Sequence, residues 1–260
     1  MKLVENAPSG IWAESHHLNR MTLRELVVAY FQHLAIQVYL GLALAATLVA
    51  AVIPTTLWRG LGAAAFAVAA FSLVWYGLHR FVLHGRWMWK SKLLSPTWKR
   101  IHYDHHQDPN SLEVLLGAPW TTLPTLALFT ILPGFVIGGI GGAAIGFMAG
   151  LLMTALNEFC HCIQHLSYKP KNKWLVSMKA RHMAHHFHDE TGNFGITDFS
   201  WDRLFGTLYN RPERPAKSPT VFNLGYTEAV AERYPYVAEL SGGIVTGHPR
   251  QRDAEHRRAA

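Results

Sequence analysis

Charged side chains are scarce in this chain. Asp, Glu, Lys and Arg make up 16% of its 260 residues, where soluble domains carry roughly 25%. Cysteine is scarcer still. Cys160 and Cys162, the two present, lie two positions apart and are badly placed to bridge each other, which excludes a disulfide scaffold; both read as small buried fillers. Stretches without apolar residues are few, which excludes a disordered chain. The first 20 residues hold no short apolar core, so no cleavable leader is expected. No internal repeat is present. Apolar residues fill half of the chain instead, and histidine is the most numerous basic residue, with 16 against 9 Lys and 15 Arg. A net charge of +7 points to nucleic acid or to an anionic membrane surface, and position decides between them.

Three runs carry no Asp, Glu, Lys, Arg or His: residues 34–58, 60–78 and 114–157. A bilayer core takes about 20 apolar residues per helix. The first two runs therefore allow one span each. The third allows two, with Pro133-Gly134 and the glycine-rich stretch 138–142 supplying a turn. The expectation is an all-α integral membrane protein with four transmembrane helices in two hairpins. The turns around 54–59 and 133–142 hold one basic residue, Arg59. Arg80, Arg86, Lys90, Lys92, Lys99 and Arg100 follow the second span, and Lys169, Lys171, Lys173, Lys179 and Arg181 follow the fourth; Lys2, Arg20 and Arg24 precede the first. Basic segments mark the cytoplasmic side, so both termini are expected there. The charge is then a topology signal, and no nucleic-acid partner is expected. Thr22-Leu23-Arg24-Glu25 reads as a capping box, opening a helix that runs along the interface and into the first span. The expected organisation is an interfacial segment at 1–33, a membrane catalytic domain at 34–210 and a soluble tail at 211–260 with a charged, frayed end from 250.

Ten of the histidines fall into four clusters on that cytoplasmic face: His79 and His84; His102, His105 and His106; His161 and His165; His182, His185 and His186. Residues three or four apart share a helix face. At about 100° per residue, His105 and His106 fall roughly 60° and 40° to either side of His102, and the second triplet repeats the pattern. His79 and His84 are about 140° apart on an undistorted helix. Either the helix breaks there, as Gly77 and Gly85 permit, or the two serve different metal ions. Ten imidazoles shared by two metals leave one octahedral position open at each. Imidazole suits Zn, Cu, Fe and Ni, and an open position at a redox metal is where dioxygen chemistry occurs; zinc could occupy the same ligands but cannot change redox state. Asn157 and Glu158 are membrane-embedded polar residues and so functional candidates, expected to orient a ligand rather than to bind metal. His188 is a candidate for the same role. His16, His17, His33, His248 and His256 read as ordinary residues.

The segments His79–His84, His102-Tyr103-Asp104-His105-His106, His161-Cys162-Ile163-Gln164-His165 and His182-Met183-Ala184-His185-His186 resemble the four histidine boxes of the fatty acid hydroxylase / sterol desaturase superfamily. Trp98 to His106 with Asp108-Pro109, Asn193 to Thr197, and Trp201 to Thr207 are similar to that family too. The resemblance covers about 73–209. It implies a helical membrane fold with a cytoplasmic helical cap over a His-ligated di-iron centre, and hydroxylation or desaturation of a lipid chain with O2 as co-substrate. The same chemistry in a carotenoid hydroxylase is an alternative, and a membrane metal transporter is an alternative of another class. His248-Pro249 is followed by Arg250, which departs from the His-Pro-Gly-Gly signature of a fused cytochrome b5 module. Electrons are therefore expected from an external donor: a cytochrome b5-like protein, a ferredoxin or a reductase. The substrate is expected to arrive laterally from the bilayer through the small-residue surface at 138–150, with Trp87, Trp89 and Trp98 at headgroup level. Residues 192–202 are expected to form part of the cap, with Asp198 exposed to solvent and Phe199, Trp201 and Phe205 packed within it. A bacterial inner membrane is the expected location.

Overall fold

A computed structural model describes residues 16–243. The expectations for Lys2, for the leader region up to residue 15, and for His248, His256 and the charged end at 250–260 lie outside the described residues. Among the described residues all regular structure is helical apart from an isolated antiparallel bridge between His17 and Ser111. The helices are α1 (Leu23–Gln32), α2 (Leu34–Val52), α3 (Leu57–Gly77), α4 (Ser95–Trp98), α5 (Asp104–Gln107), α6 (Leu112–Leu115), α7 (Pro119–His165), α8 (Lys173–Phe187), α9 (Ser200–Leu204), α10 (Glu228–Arg233) and α11 (Tyr236–Ser241).

Helix α1 starts with the capping box expected from sequence: Thr22 Oγ1 accepts from the Glu25 amide, and Glu25 accepts in return from the Thr22 amide. It does not run on into the first span. His33 leaves the helical region (φ −70°, ψ 130°), and its Nδ1 accepts from the Ala35 amide at 3.2 Å, so it caps α2. Three helical stretches are long and apolar enough to cross a membrane: Leu34–Val52, Leu57–Lys90 and Leu112–His165. Their large residues point outward, among them Leu48, Val52, Trp58, Leu128 and Val136, while Ala43, Ala46, Ala63 and Ala67 are buried. This inside-out pattern suits helices solvated by lipid and packed on one another through small residues.

The third stretch departs from a straight span. Helix α7 breaks at Gly138 (φ −143°, ψ 22°) and Gly139 (φ 62°, ψ −152°), the latter a conformation that glycine adopts without steric cost. Its two arms then lie antiparallel and very close. A Cβ on Gly134 would come within 2.6 Å of the Gly142 carbonyl, and one on Gly146 within 2.9 Å of the Thr130 carbonyl. Pro133, expected to help make the turn, sits inside the first arm. Gly142, Gly146 and Gly150 pack within this hairpin, and Gly138 and Gly141 pack against the Pro54–Thr55 turn. Both turns lie together at one end of the bundle, and the histidines occupy the other.

Two further expectations change. Of the three tryptophans placed at headgroup level, Trp87 is exposed but Trp89 and Trp98 are buried with Tyr103, Tyr226 and Val237. The tail from 211 does not stand apart: Val221, Phe222 and Tyr226 are buried, and the Gln107 amide donates to the Phe222 carbonyl at 2.5 Å. Through residue 243 the tail belongs to the same body as the histidines.

Candidate metal centre

The four histidine clusters converge. Helix α3 continues into a π turn over Leu78–Leu83, closed by the His84 amide on the His79 carbonyl at 3.0 Å. A π turn brings residues five apart onto one face, so His79 and His84 point to the same place. The helix neither breaks nor separates them, which replaces both options offered by α-helical geometry. A second π turn, Lys99–Tyr103, joins α4 to α5; the Lys99–Asp104 ion pair at 2.7 Å spans it. His102, His105 and His106 leave this turn, His161 and His165 end α7, and His182, His185 and His186 lie on the last turns of α8.

The ten rings sort into two sets. His79, His84, His102, His106 and His185 form the first; His105, His161, His165, His182 and His186 form the second; within each, one nitrogen per ring lies within 4.8 Å of the others. Each triplet is therefore divided. The pair four apart goes to one set and the remaining histidine crosses to the other, in opposite senses for the two triplets. The sets adjoin, with the His106 and His186 ring centroids 4.2 Å apart.

The donor atoms fit a metal. With metal–nitrogen bonds of about 2.0–2.1 Å, neighbouring ligands of an octahedron are about 3.0 Å apart. The observed Nε2–Nε2 separations are 2.8 Å for His84–His102, 3.2 Å for His105–His161 and 2.9 Å for His165–His182. In the first set the outer nitrogens are held by backbone carbonyls: Nδ1 of His79 donates to Phe194 at 2.5 Å, of His106 to Val221 at 3.0 Å and of His185 to Gly192 at 2.8 Å. Each bond fixes the tautomer and leaves an unprotonated Nε2 facing inward. Those three Nε2 atoms are buried without a hydrogen-bond partner, a costly state that a metal relieves. Burial pushes His106 and His185 down to about 3 and His102, His105, His182 and His186 well below the usual imidazole value, so these rings are neutral, the form that can ligate a metal. Among the described residues no carboxylate joins either set.

A cavity of about 290 Å³ lies against both sets, with His79, His105 and His161 in its wall beside Phe71, Trp75 and Leu115. Asn157 and Glu158 line it as well, but neither bonds to a histidine: Asn157 Oδ1 accepts from Thr197 at 3.0 Å and Glu158 Oε1 from the Gly117 amide at 3.3 Å. His188 Nε2 bonds the Arg214 carbonyl at 2.5 Å. Asp198 also lines the cavity and caps Ser200. Phe199 is buried with Cys160 and Met178, Trp201 donates to Ser72 Oγ at 3.0 Å, and Phe205, though half exposed, stacks on Tyr76. Gly192, Phe194 and Val221 hold histidines through backbone carbonyls and so leave no side-chain signal in the sequence.

An all-helical, multi-pass membrane chain with ten converging histidines beneath an apolar cavity defines a class of histidine-rich membrane metalloprotein. The chain belongs to the fatty acid hydroxylase family, whose profile, described as "Fatty acid hydroxylase", matches residues 64–207. It is similar to "Ceramide very long chain fatty acid hydroxylase SCS7" of Saccharomyces cerevisiae, with 32% identity over 162 residues, covering 58% of this chain and 39% of the relative. It is also similar to human "Fatty acid 2-hydroxylase", with 30% identity over 165 residues, 63% of this chain and 42% of the relative. The chain thus spans about two fifths of the length of these relatives. Among solved structures it resembles "Full length scs7p (only hydroxylase domain visible)", with TM-score 0.56 and 25% identity over 77% of this chain and 71% of that one.

Proposed function

We propose that this chain is an O2-dependent, membrane-bound di-iron hydroxylase that oxidises a C–H bond of a lipid acyl chain. The observation that carries this reading is the sorting of ten neutral imidazoles into two five-nitrogen sets on the wall of one largely apolar cavity. Two iron ions, one held by each set, would supply the redox chemistry with O2. One O2, two electrons and two protons convert C–H to C–OH and release one water. The chain's own residues bind and orient. Phe71, Trp75 and Leu115 take up the acyl chain and exclude water. Asn157, its Oδ1 engaged by Thr197, offers its amide NH2 to the acyl carbonyl, which would favour the carbon next to that carbonyl. The relatives' names, fatty acid and fatty acyl 2-hydroxylases, support hydroxylation at that position.

Each arm of α7 is about 28–39 Å long at 1.5 Å per residue, enough for the roughly 30 Å bilayer core. The reading is therefore four crossings, with the histidine end and its cap on the cytoplasmic, basic side. The electrons come from an external donor, and the expected setting is a bacterial inner membrane. The histidines sit at one end of the bundle rather than at mid-depth, which speaks against a transporter. The test is lipid mass spectrometry of cells expressing the wild-type chain or His84→Ala under isotopically heavy O2. The expected result is heavy oxygen in a 2-hydroxyacyl lipid, with the wild type alone. An unchanged lipidome from a metal-loaded, reductant-supplied wild type would overturn the proposal.

A further inference from the structure

The segment 192–207, whose likeness to the family the metal ligands do not explain, folds around one buried carboxylate. Asp202 is fully buried on α9. Its Oδ1 accepts from the Phe194 amide at 2.8 Å and its Oδ2 from the Gly195 amide at 2.7 Å; Thr207 Oγ1 donates to Oδ1 at 2.7 Å. Thr207 in turn meets the Tyr76 hydroxyl at 3.0 Å, on the turn of α3 before His79. The loop held in this way presents two carbonyls to the first histidine set, Gly192 to His185 and Phe194 to His79. Between them Asn193 takes a left-handed conformation (φ 55°), its side chain bonded at 3.0 Å to both the amide and the carbonyl of Tyr209. The second set has no such support: Nδ1 of His105, His165, His182 and His186 is buried without a hydrogen-bond partner.

We propose that Asp202 is a positioning residue for the metal centre, acting through the Phe194–Gly195 amides on the Phe194 carbonyl that orients His79, and so on the first histidine set alone. A ring held by a fixed carbonyl keeps its lone pair aimed at the metal, and loss of such an outer partner costs about 10–100-fold in metal affinity. Asn at this position keeps one acceptor oxygen and turns an NH2 toward the second loop amide, so it removes part of the restraint; Ala removes all of it. The inference rests on the reading of the two sets as metal sites.

The test is competitive chelation of purified, iron-loaded full-length protein in detergent, read by metal analysis and Mössbauer spectroscopy of the iron. His84→Ala and His165→Ala identify the first-set and second-set signals. Asp202→Ala should weaken the first-set ion about 10–100-fold and leave the second-set ion at wild-type affinity, with Asp202→Asn in between. Parallel loss of both ions in the two Asp202 variants, selective loss of the second-set ion, or retention of both at wild-type affinity would each overturn it. Selective loss in a protein whose wild type hydroxylates no lipid would leave this inference standing and remove the proposed function. A wild type that binds no metal removes both.

Discussion

At the scale of single residues, the histidines divide by direction and not by neighbourhood. His102 and His106 face one set while His105 faces the other, and His182 and His186 face the second set while His185 faces the first. Loss of any one ligand should therefore be felt at one ion. His84→Ala is expected to lower bound metal from two equivalents to about one, as is His165→Ala, and the double variant should bind none; elemental analysis of the purified proteins reads this directly. A variant that lost both ions at once would show that the sets are not separate sites. The candidate ligands were legible because ten imidazoles at helical spacing have few other uses. Their division was not, because it depends on rings from other helices. The three supporting carbonyls were invisible for a different reason: Gly192, Phe194 and Val221 act through atoms that every residue carries.

At the scale of elements, the hairpin in α7 is built from absent side chains. Gly142 faces the Gly134 carbonyl with no room for a Cβ, whereas Gly41 on α2 meets nothing within 4 Å. Gly142→Ala should destabilise the protein by about 1–3 kcal/mol through overpacking. Gly41→Ala should be neutral or stabilising by up to about 1 kcal/mol. Unfolding in detergent distinguishes them, and equal effects would show that the arms do not depend on this contact. Uncharged length revealed the apolar stretches, and the glycines foretold a turn. Composition does not select Gly138-Gly139 over Pro133, an equally good breaker that the first arm tolerates. The π turn at Leu78–Leu83 was less legible: a five-residue spacing read on α-helical geometry separates His79 from His84, and one extra residue per hydrogen-bonded turn reunites them.

At the scale of the whole molecule, the chain closes over its own histidine cluster. The Val221 carbonyl holds His106 at 3.0 Å, and Tyr226 and Val237 are fully buried against Trp89 and Trp98. A chain truncated after Lys217 is expected to lose the first-set ion and to melt at a lower temperature than one ending at residue 243. A truncated chain that kept both ions and the same melting temperature would show the tail to be dispensable. Composition marks this region as soluble because its prolines and charges resemble any surface segment. Nothing local says that it returns to meet His106 on α5.

That apolar helices cross a membrane, and that ten histidines gather at one end of them, is legible from residues along the chain. Both follow from local quantities: the length of uncharged runs, the sign of flanking charge, and residue spacing. Which five histidines share a set, that three rings of the first set rest on the carbonyls of Gly192, Phe194 and Val221, and that the tail packs beside them came from the fold alone. Those depend on the directions of lone pairs and backbone dipoles across distant segments, which residue types along a chain do not specify.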